Sequence, residues 1–168
     1  MATTFMFSDI QGSTAMNEQL GDRRWLLLLR AHNAISRKLI AAHGGVEVKS
    51  LGDGFMIVFS SAGSALACAI AIQQSFVAYG ELQPGAPIRV RIGIHTGEAI
   101  RGENDFLGMN VTVAARIAAR AEGGQILVSS ATRELGEGAG AFRFDAGRPL
   151  ELRGLAGTHD VFGLGWAG

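Results

Sequence analysis

Short apolar runs alternate along the chain with longer stretches of helical periodicity. Residues 4–8 form an apolar run of strand length and predict a buried strand. From about residue 17 to 43, Leu20, Leu28, Ile35 and Leu39 recur at helical spacing, which predicts one long helix stopped by Gly44-Gly45. Residues 46–51 and 55–59 flank Gly52-Asp53-Gly54, the pattern of two strands joined by a tight turn. The Ala-rich stretch 61–79 predicts a second helix ended by Gly80, with a Pro- and Gly-bearing loop at 83–87. Residues 88–95 alternate as a strand, and 99–101 begin another short one. A third helix is predicted over 109–121, between Gly108 and Gly123-Gly124. A strand at 125–128, a short helix at 131–135 and late strands at 142–145 and 160–163 complete the pattern.

This order, β-α-β-β-α-β followed by α-β and a terminal hairpin, predicts an α+β fold. Its core is a ferredoxin-like βαββαβ unit, an antiparallel sheet backed by helices, with further C-terminal α/β elements. No repeat or low-complexity linker interrupts it, so residues 1–168 are expected to form one domain.

Composition narrows the function more than the fold. Hydrophobic residues make up 48% of the chain, enough to fill the core of one domain of ordinary size. Lys+Arg and Asp+Glu are both 15, which argues against gripping nucleic acid by bulk charge but leaves a small anion held by local geometry. The single cysteine, Cys68, lies in the Ala-rich helix and reads as a core residue. The first four residues carry no signal-type segment, and no uninterrupted apolar run reaches bilayer length. The expectation is a cytoplasmic protein with no membrane partner.

Asp9 ends the first strand and Asp53 sits in the turn of the following hairpin. In a β-α-β-β unit the first strand lies beside a hairpin strand, so carboxylates at these two turns can converge at one rim of the sheet. Alone, each is well explained as a turn or cap residue. Together, and with a backbone carbonyl, they offer hard oxygen ligands suited to Mg²⁺ or Mn²⁺. The segment from Ile10 to Thr14 leads towards a helix, and Gly12 allows close backbone approach to phosphates.

Four segments occur in order across about 110 residues. They are Phe7-Ser8-Asp9-Ile10-Gln11-Gly12-Ser13-Thr14, Lys49-Ser50-Leu51-Gly52-Asp53-Gly54, Gly93-Ile94-His95-Thr96-Gly97, and Asp105-Phe106-Leu107-Gly108 with Ala114-Ala115-Arg116. Together they resemble the class III nucleotidyl cyclases of the adenylyl type. The resemblance implies two divalent metal ions, Mg or Mn, on Asp9, Asp53 and the carbonyl of Ile10. It implies ATP as substrate, with Gly12, Ser13 and Thr14 near its phosphates. Lys49 would donate to N1 of adenine, Asp105 would accept from its amino group, and Arg116 would stabilise transition-state charge. It also implies a head-to-tail homodimer with its sites at the interface. Asp9 and Asp53 would come from one chain, and Lys49, Asp105 and Arg116 from the other. His95 reads as structural.

Two positions depart from the family. Thr112 stands where an Asn is thought to orient the ribose, and Asn110 is too far round the helix to replace it. Leu155 stands where a phosphate-binding lysine is common, with Arg153 nearby. These departures keep open a degenerate domain that binds nucleotide or a partner without catalysis. A guanylyl cyclase and a plain interaction domain of the same fold are the other readings.

Overall fold

The computed structural model describes residues 2–85 and 87–167. Met1 and Gly168 of the expected 1–168 domain, and Ala86 of the expected 83–87 loop, lie outside them. The elements run β1 (Thr3–Ile10), α1 (Ser13–Leu20), α2 (Asp22–Ala42), β2 (Val46–Ser50), β3 (Gly54–Phe59) and α3 (Ala62–Leu82). There follow β4 (Val90–Gly97), β5 (Ile100–Gly102), β6 (Asp105–Leu107), α4 (Met109–Arg120), β7 (Ile126–Ser129), α5 (Ser130–Ala139), β8 (Arg148–Glu151) and β9 (Thr158–Gly163).

Seven strands form one sheet in the order β2-β3-β1-β4-β7-β9-β8. The first four reproduce the expected ferredoxin-like order, with every neighbour antiparallel. β7 joins β4 in parallel through the α4 crossover, and β9 and β8 close the far edge. β5 and β6 form a separate hairpin.

The pleat of β1 sorts the core into two layers. Met6 and Ile10 pack with Leu28 and Ile40 of α2 and with Leu66, Ile72 and Phe76 of α3. Phe5 points the other way, against Met56 of β3 and Ala114 of α4, with Phe7, Val48 and Phe106 beside it. Helices therefore back both faces of the sheet, and the face carrying α4 also carries the β5–β6 hairpin. Phe55, Ile57 and Phe59 are buried towards α2 and α3. Each side chain is worth about 1.5–3 kcal/mol when buried, so a one-residue slip of β3 is strongly disfavoured.

The structure departs from the sequence reading in several places. The expected helix over 17–43 is two helices, because Gly21 adopts φ 82° and ψ 161°, outside helical space. α3 runs through Gly80 to Leu82 and stops at Gln83, the residue before Pro84, where the proline ring disfavours helical backbone. At 21 residues and a mean hydropathy of 1.3, α3 has the length and composition of a membrane span, yet Leu66, Cys68, Ile72, Gln73 and Phe76 are buried in the core. Finally, 142–145 contributes only the bridge Phe144–Leu164, and the partner of β9 is β8. Pro149 is tolerated there because β8 is an edge strand.

Candidate active site

Asp9 lies near the end of β1, opposite Gly54 of β3 on one side and Arg91 of β4 on the other. A side chain at position 54 would collide with the backbone carbonyl of Ser8, so only glycine lets β3 start this close to β1. Asp53 immediately precedes it, which brings the second carboxylate to the same rim. Both aspartates are half-buried.

Arg91 claims this rim as well, and the sequence reading missed it. Its Nε and Nη2 donate to the two oxygens of Asp9 at 2.6 and 2.7 Å. These bonds hold the guanidinium above its ordinary pKa, with the charges of Asp9 and Asp53 adding to the effect. Arg91 stands out as a charge in an otherwise apolar alternating strand, but its partner depends on the β1–β4 register.

The donor set fits a small hard cation. Among the described residues no group of three or more His, Cys, Asp or Glu converges, so the protein provides no closed cage. Two carboxylates with waters and phosphate oxygens are the usual Mg²⁺ arrangement. The side chain of Ile10 is 2% exposed and belongs to the core, so only its backbone carbonyl is available to a ligand.

Gly12 is left-handed at φ 68° and ψ 29°, and α1 begins at Ser13 with no side chain capping it. Ser13 and Thr14 are therefore first-turn helical residues rather than loop. Their N–H groups are at the uncapped start of α1, a few residues after Asp9.

Lys49 reaches the α4 face through an irregularity in β2. The register shifts between Glu47 and Lys49, and Lys49 pairs with Met56, whose side chain faces α4. Regular alternation from Val46, opposite Val58, would have turned Lys49 to the other face. Its Nζ donates to Asp105 at 3.2 Å. Asp105 follows the two-residue turn Glu103-Asn104, with Asn104 at φ 58°. The N–H of Phe106 at 2.8 Å and the charge-assisted bond from Lys49 hold the Asp105 carboxyl below its ordinary pKa.

α4 lies directly on β4, where a Cβ on Gly93 would meet the backbone of Ala118. His95 sits between Ser129 and Asn110, 2.7 Å from each, and Asn110 also donates to the Glu98 carbonyl. Asn110 is thus committed to the scaffold, in keeping with the structural reading of His95. The Thr112 hydroxyl donates back to Gly108 at 3.4 Å. Arg116 Nε donates to the Arg153 carbonyl at 2.9 Å, just past β8. Leu155 turns inward against a cluster containing Val113, Ile117 and Leu150. From β1 to β8 there are four strand spacings, on the order of 19 Å. One chain therefore joins Asp9 with Asp53, and Lys49 with Asp105, and ties the Arg116 guanidinium to the β8 side instead.

Comparison with known proteins agrees with this architecture. The family described as adenylate and guanylate cyclase catalytic domain matches residues 2–164. An uncharacterized protein of Mycobacterium tuberculosis is 34% identical over 157 residues, covering 90% of this chain and 52% of that protein. The chain thus spans about half the length of such curated relatives. A solved structure of adenylate cyclases from Trypanosoma brucei, in their monomeric state, superposes with a TM-score of 0.85 at 27% identity, over 97% of this chain and 87% of that one. An adenylate/guanylate cyclase/hydrolase from Silicibacter pomeroyi gives 0.81 at 30% identity, over 98% and 96%.

Proposed function

The chain belongs to the adenylate and guanylate cyclase catalytic domain family, and from that premise we propose that it converts ATP to 3′,5′-cyclic AMP and pyrophosphate. The observation that carries this reading is the meeting of Asp9 and Asp53 at one sheet rim, enforced by Gly54. Domains of this class generally use divalent metals. Asp9, Asp53 and the Ile10 carbonyl are the groups that would hold two ions, Mg²⁺ or Mn²⁺. Bound there, the ions would draw charge from the triphosphate and lower the pKa of the ribose 3′-hydroxyl.

The chain's own residues do the rest. Arg91 releases the Asp9 carboxylate to a cation and stays at the rim beside the phosphates. The N–H groups of Ser13 and Thr14, behind Gly12, donate to phosphate oxygens. Lys49 donates to adenine N1 and Asp105 accepts from the exocyclic amino group. Guanine presents a donor and an acceptor the wrong way round for that pair. Arg116 stabilises charge on the α-phosphate as the 3′-oxygen bonds to phosphorus and the bond to the bridging oxygen breaks. Pyrophosphate leaves with those electrons, and the hydroxyl proton passes to water. The reaction is assigned to the cytoplasm, where ATP is abundant.

Cyclase catalytic domains often dimerise, and the tie of Arg116 to the β8 side supports a site shared between two copies. Exposed Ile100, Leu107 and Met109 beside Asp105, with Val46 and Leu51 beside Lys49, provide an apolar surface for the second copy. The test mixes an Asp9→Ala chain with a Lys49→Ala chain and assays cyclic AMP from Mn²⁺-ATP, with GTP in parallel. Activity from the mixture well above that of either variant alone is the expected result. Heterodimers that form without activity would sink the shared site. A second reading, nucleotide binding without turnover, is favoured by Thr112, whose hydroxyl is spent on Gly108. ATP binding to the unmodified protein with no cyclic AMP formed would select it.

A further inference from the structure

α4 has no side chain capping its start, where Gly108 precedes it at φ 131°. Asn110 ties its first turn to the sheet instead. The Asn110 amide donates to the Glu98 carbonyl at 2.8 Å, and its Oδ1 lies 2.7 Å from Nε2 of His95 on β4. Gly97 makes room for that carboxamide, because a Cβ there would collide with it. The far half of α4 is held separately, by Arg116 and Arg120 on the carbonyls of Arg153 and Glu151.

His95 and Asn110 end a longer hydrogen-bonded chain. Nδ1 of His95 lies 2.7 Å from Ser129 Oγ, and Ser129 Oγ lies 3.2 Å from Thr132 Oγ1. Thr132 meets Thr96 at 3.0 Å, and Thr96 meets Thr4 at 2.9 Å. Thr4, Thr96, Ser129 and Thr132 are all buried. One carbonyl sets the direction of the whole chain. The Glu98 carbonyl only accepts, so Asn110 must turn its amide towards it and its oxygen towards His95. Nε2 of His95 therefore carries the proton, and Nδ1 accepts from Ser129. Each hydroxyl has a single proton, so Thr132 donates to Ser129, Thr96 to Thr132 and Thr4 to Thr96. Burial holds His95 below its ordinary pKa, opposed by the Asn110 bond and reinforced by the charge of His159. The surroundings thus select a neutral ring in one tautomer.

We propose that His95 is a positioning residue for the reaction: through its Nε2–H it anchors Asn110 and so sets where α4 carries Arg116. This role rests on the cyclase reading above, whereas the anchoring of the helix does not depend on turnover. Arg116 stands six residues beyond Asn110, about 9 Å along the helix, so the anchor is near enough to fix its place. A displacement of about 1 Å near the chemistry can cost on the order of 100-fold in rate. Arg116 acts on the transition state, while Lys49 and Asp105 read the base. Loss of the anchor therefore falls on kcat rather than on KM.

The experiment compares His95→Gln with His95→Asn. Glutamine brings an N–H close to the place of Nε2, whereas asparagine is shorter and serves only the Ser129 side. Cyclic AMP formation from Mn²⁺-ATP is measured for both, for Asn110→Ala, and for the double variant of His95→Asn with Asn110→Ala. His95→Asn is expected to lower kcat by roughly tenfold or more with KM changed less than about twofold, and His95→Gln to recover most of that loss. The double variant should be no slower than Asn110→Ala, since both substitutions remove the same bond. Three results would overturn the role: folded His95→Asn protein with the unmodified kcat, equal losses in the two His95 variants, or additive losses in the double variant. Amide hydrogen exchange over 109–116 needs no turnover. It should be faster in His95→Asn than in His95→Gln, with α3 unchanged in both, and equal exchange over 109–116 overturns the anchor. Failure of the cyclase reading looks different: no cyclic AMP from the unmodified chain, with exchange over 109–116 still faster in His95→Asn.

Discussion

Lys49 and Asp105 orient one another, and that mutual orientation is what supports the proposal that they read the base. The Phe106 N–H fixes one oxygen of Asp105, and Lys49 takes the other. In the proposed complex Lys49 is a charged donor to the base, and a hydrogen bond to a charged group contributes about 1.5–3 kcal/mol. Lys49→Ala is therefore expected to lower kcat/KM for Mn²⁺-ATP by roughly tenfold or more. Lys49→Glu should move the ATP-to-GTP ratio towards GTP, because a carboxylate accepts from guanine N1–H. Parallel cyclic AMP and cyclic GMP assays read both, and an unchanged ratio removes the pair from base recognition. At this scale the sequence was partly legible. Asp9 and Asp53 are visible because each stands where an apolar run meets a turn. Arg91 is not, because its bidentate grip on Asp9 exists only in the β1–β4 register. The β2 irregularity that aims Lys49 is equally silent, since a register shift leaves no compositional mark.

α4 holds Thr112 and Arg116, so its seating on the sheet decides where both candidate side chains stand. Gly93 is the contact that allows it, with the backbone of Ala118 where a side chain would go. Gly93→Ala must push the helix outward, and overpacking of this kind costs about 1–3 kcal/mol. Urea unfolding should show that loss. Cyclic AMP formation should fall by more than the unfolded fraction explains, because Arg116 moves with the helix. A Gly93→Ala protein of reduced stability but full activity would mean the helix position is not critical. The limits of α4 were readable from flanking glycines, since Gly108 and Gly123-Gly124 bracket an unbroken periodic stretch. The break at Gly21 was not, because the same apolar spacing continues on both sides and only the backbone angles reveal it. β6 was missed because three residues are too few to show alternation.

A buried and a half-buried histidine link the stability of the whole molecule to pH. His32 is stacked between Phe55 and Phe76, with ring centroids 5.9 and 5.4 Å away. Its Nε2 has no hydrogen-bond partner among the described residues. Burial pushes its pKa below the ordinary value, and burial does the same to His95. An unfolded histidine titrates near about pH 6.5. Above that pH both states are neutral at these positions and the full stability is present. As pH falls below it, the unfolded chain takes up protons that the folded chain refuses until its lower pKa values are reached. Stability is therefore lost through that interval, by the linkage of proton uptake to unfolding. Carboxylates lose their native interactions only in a more acidic window, as the lowered pKa of Asp105 requires. His32→Phe keeps an aromatic ring between the two phenylalanines and removes the unpartnered nitrogen. Melting temperature measured from pH 7 to pH 5 should fall less steeply in this variant, with no loss at pH 7. An unchanged slope would assign the effect to His95 alone. The charges of Asp9 and Asp53 favour a proton on His32, opposing burial. A cation on those carboxylates would weaken that pull, so added Mn²⁺ should hold His32 neutral to still lower pH and carry the unmodified protein's loss of melting temperature further into acid, the opposite of what the substitution does.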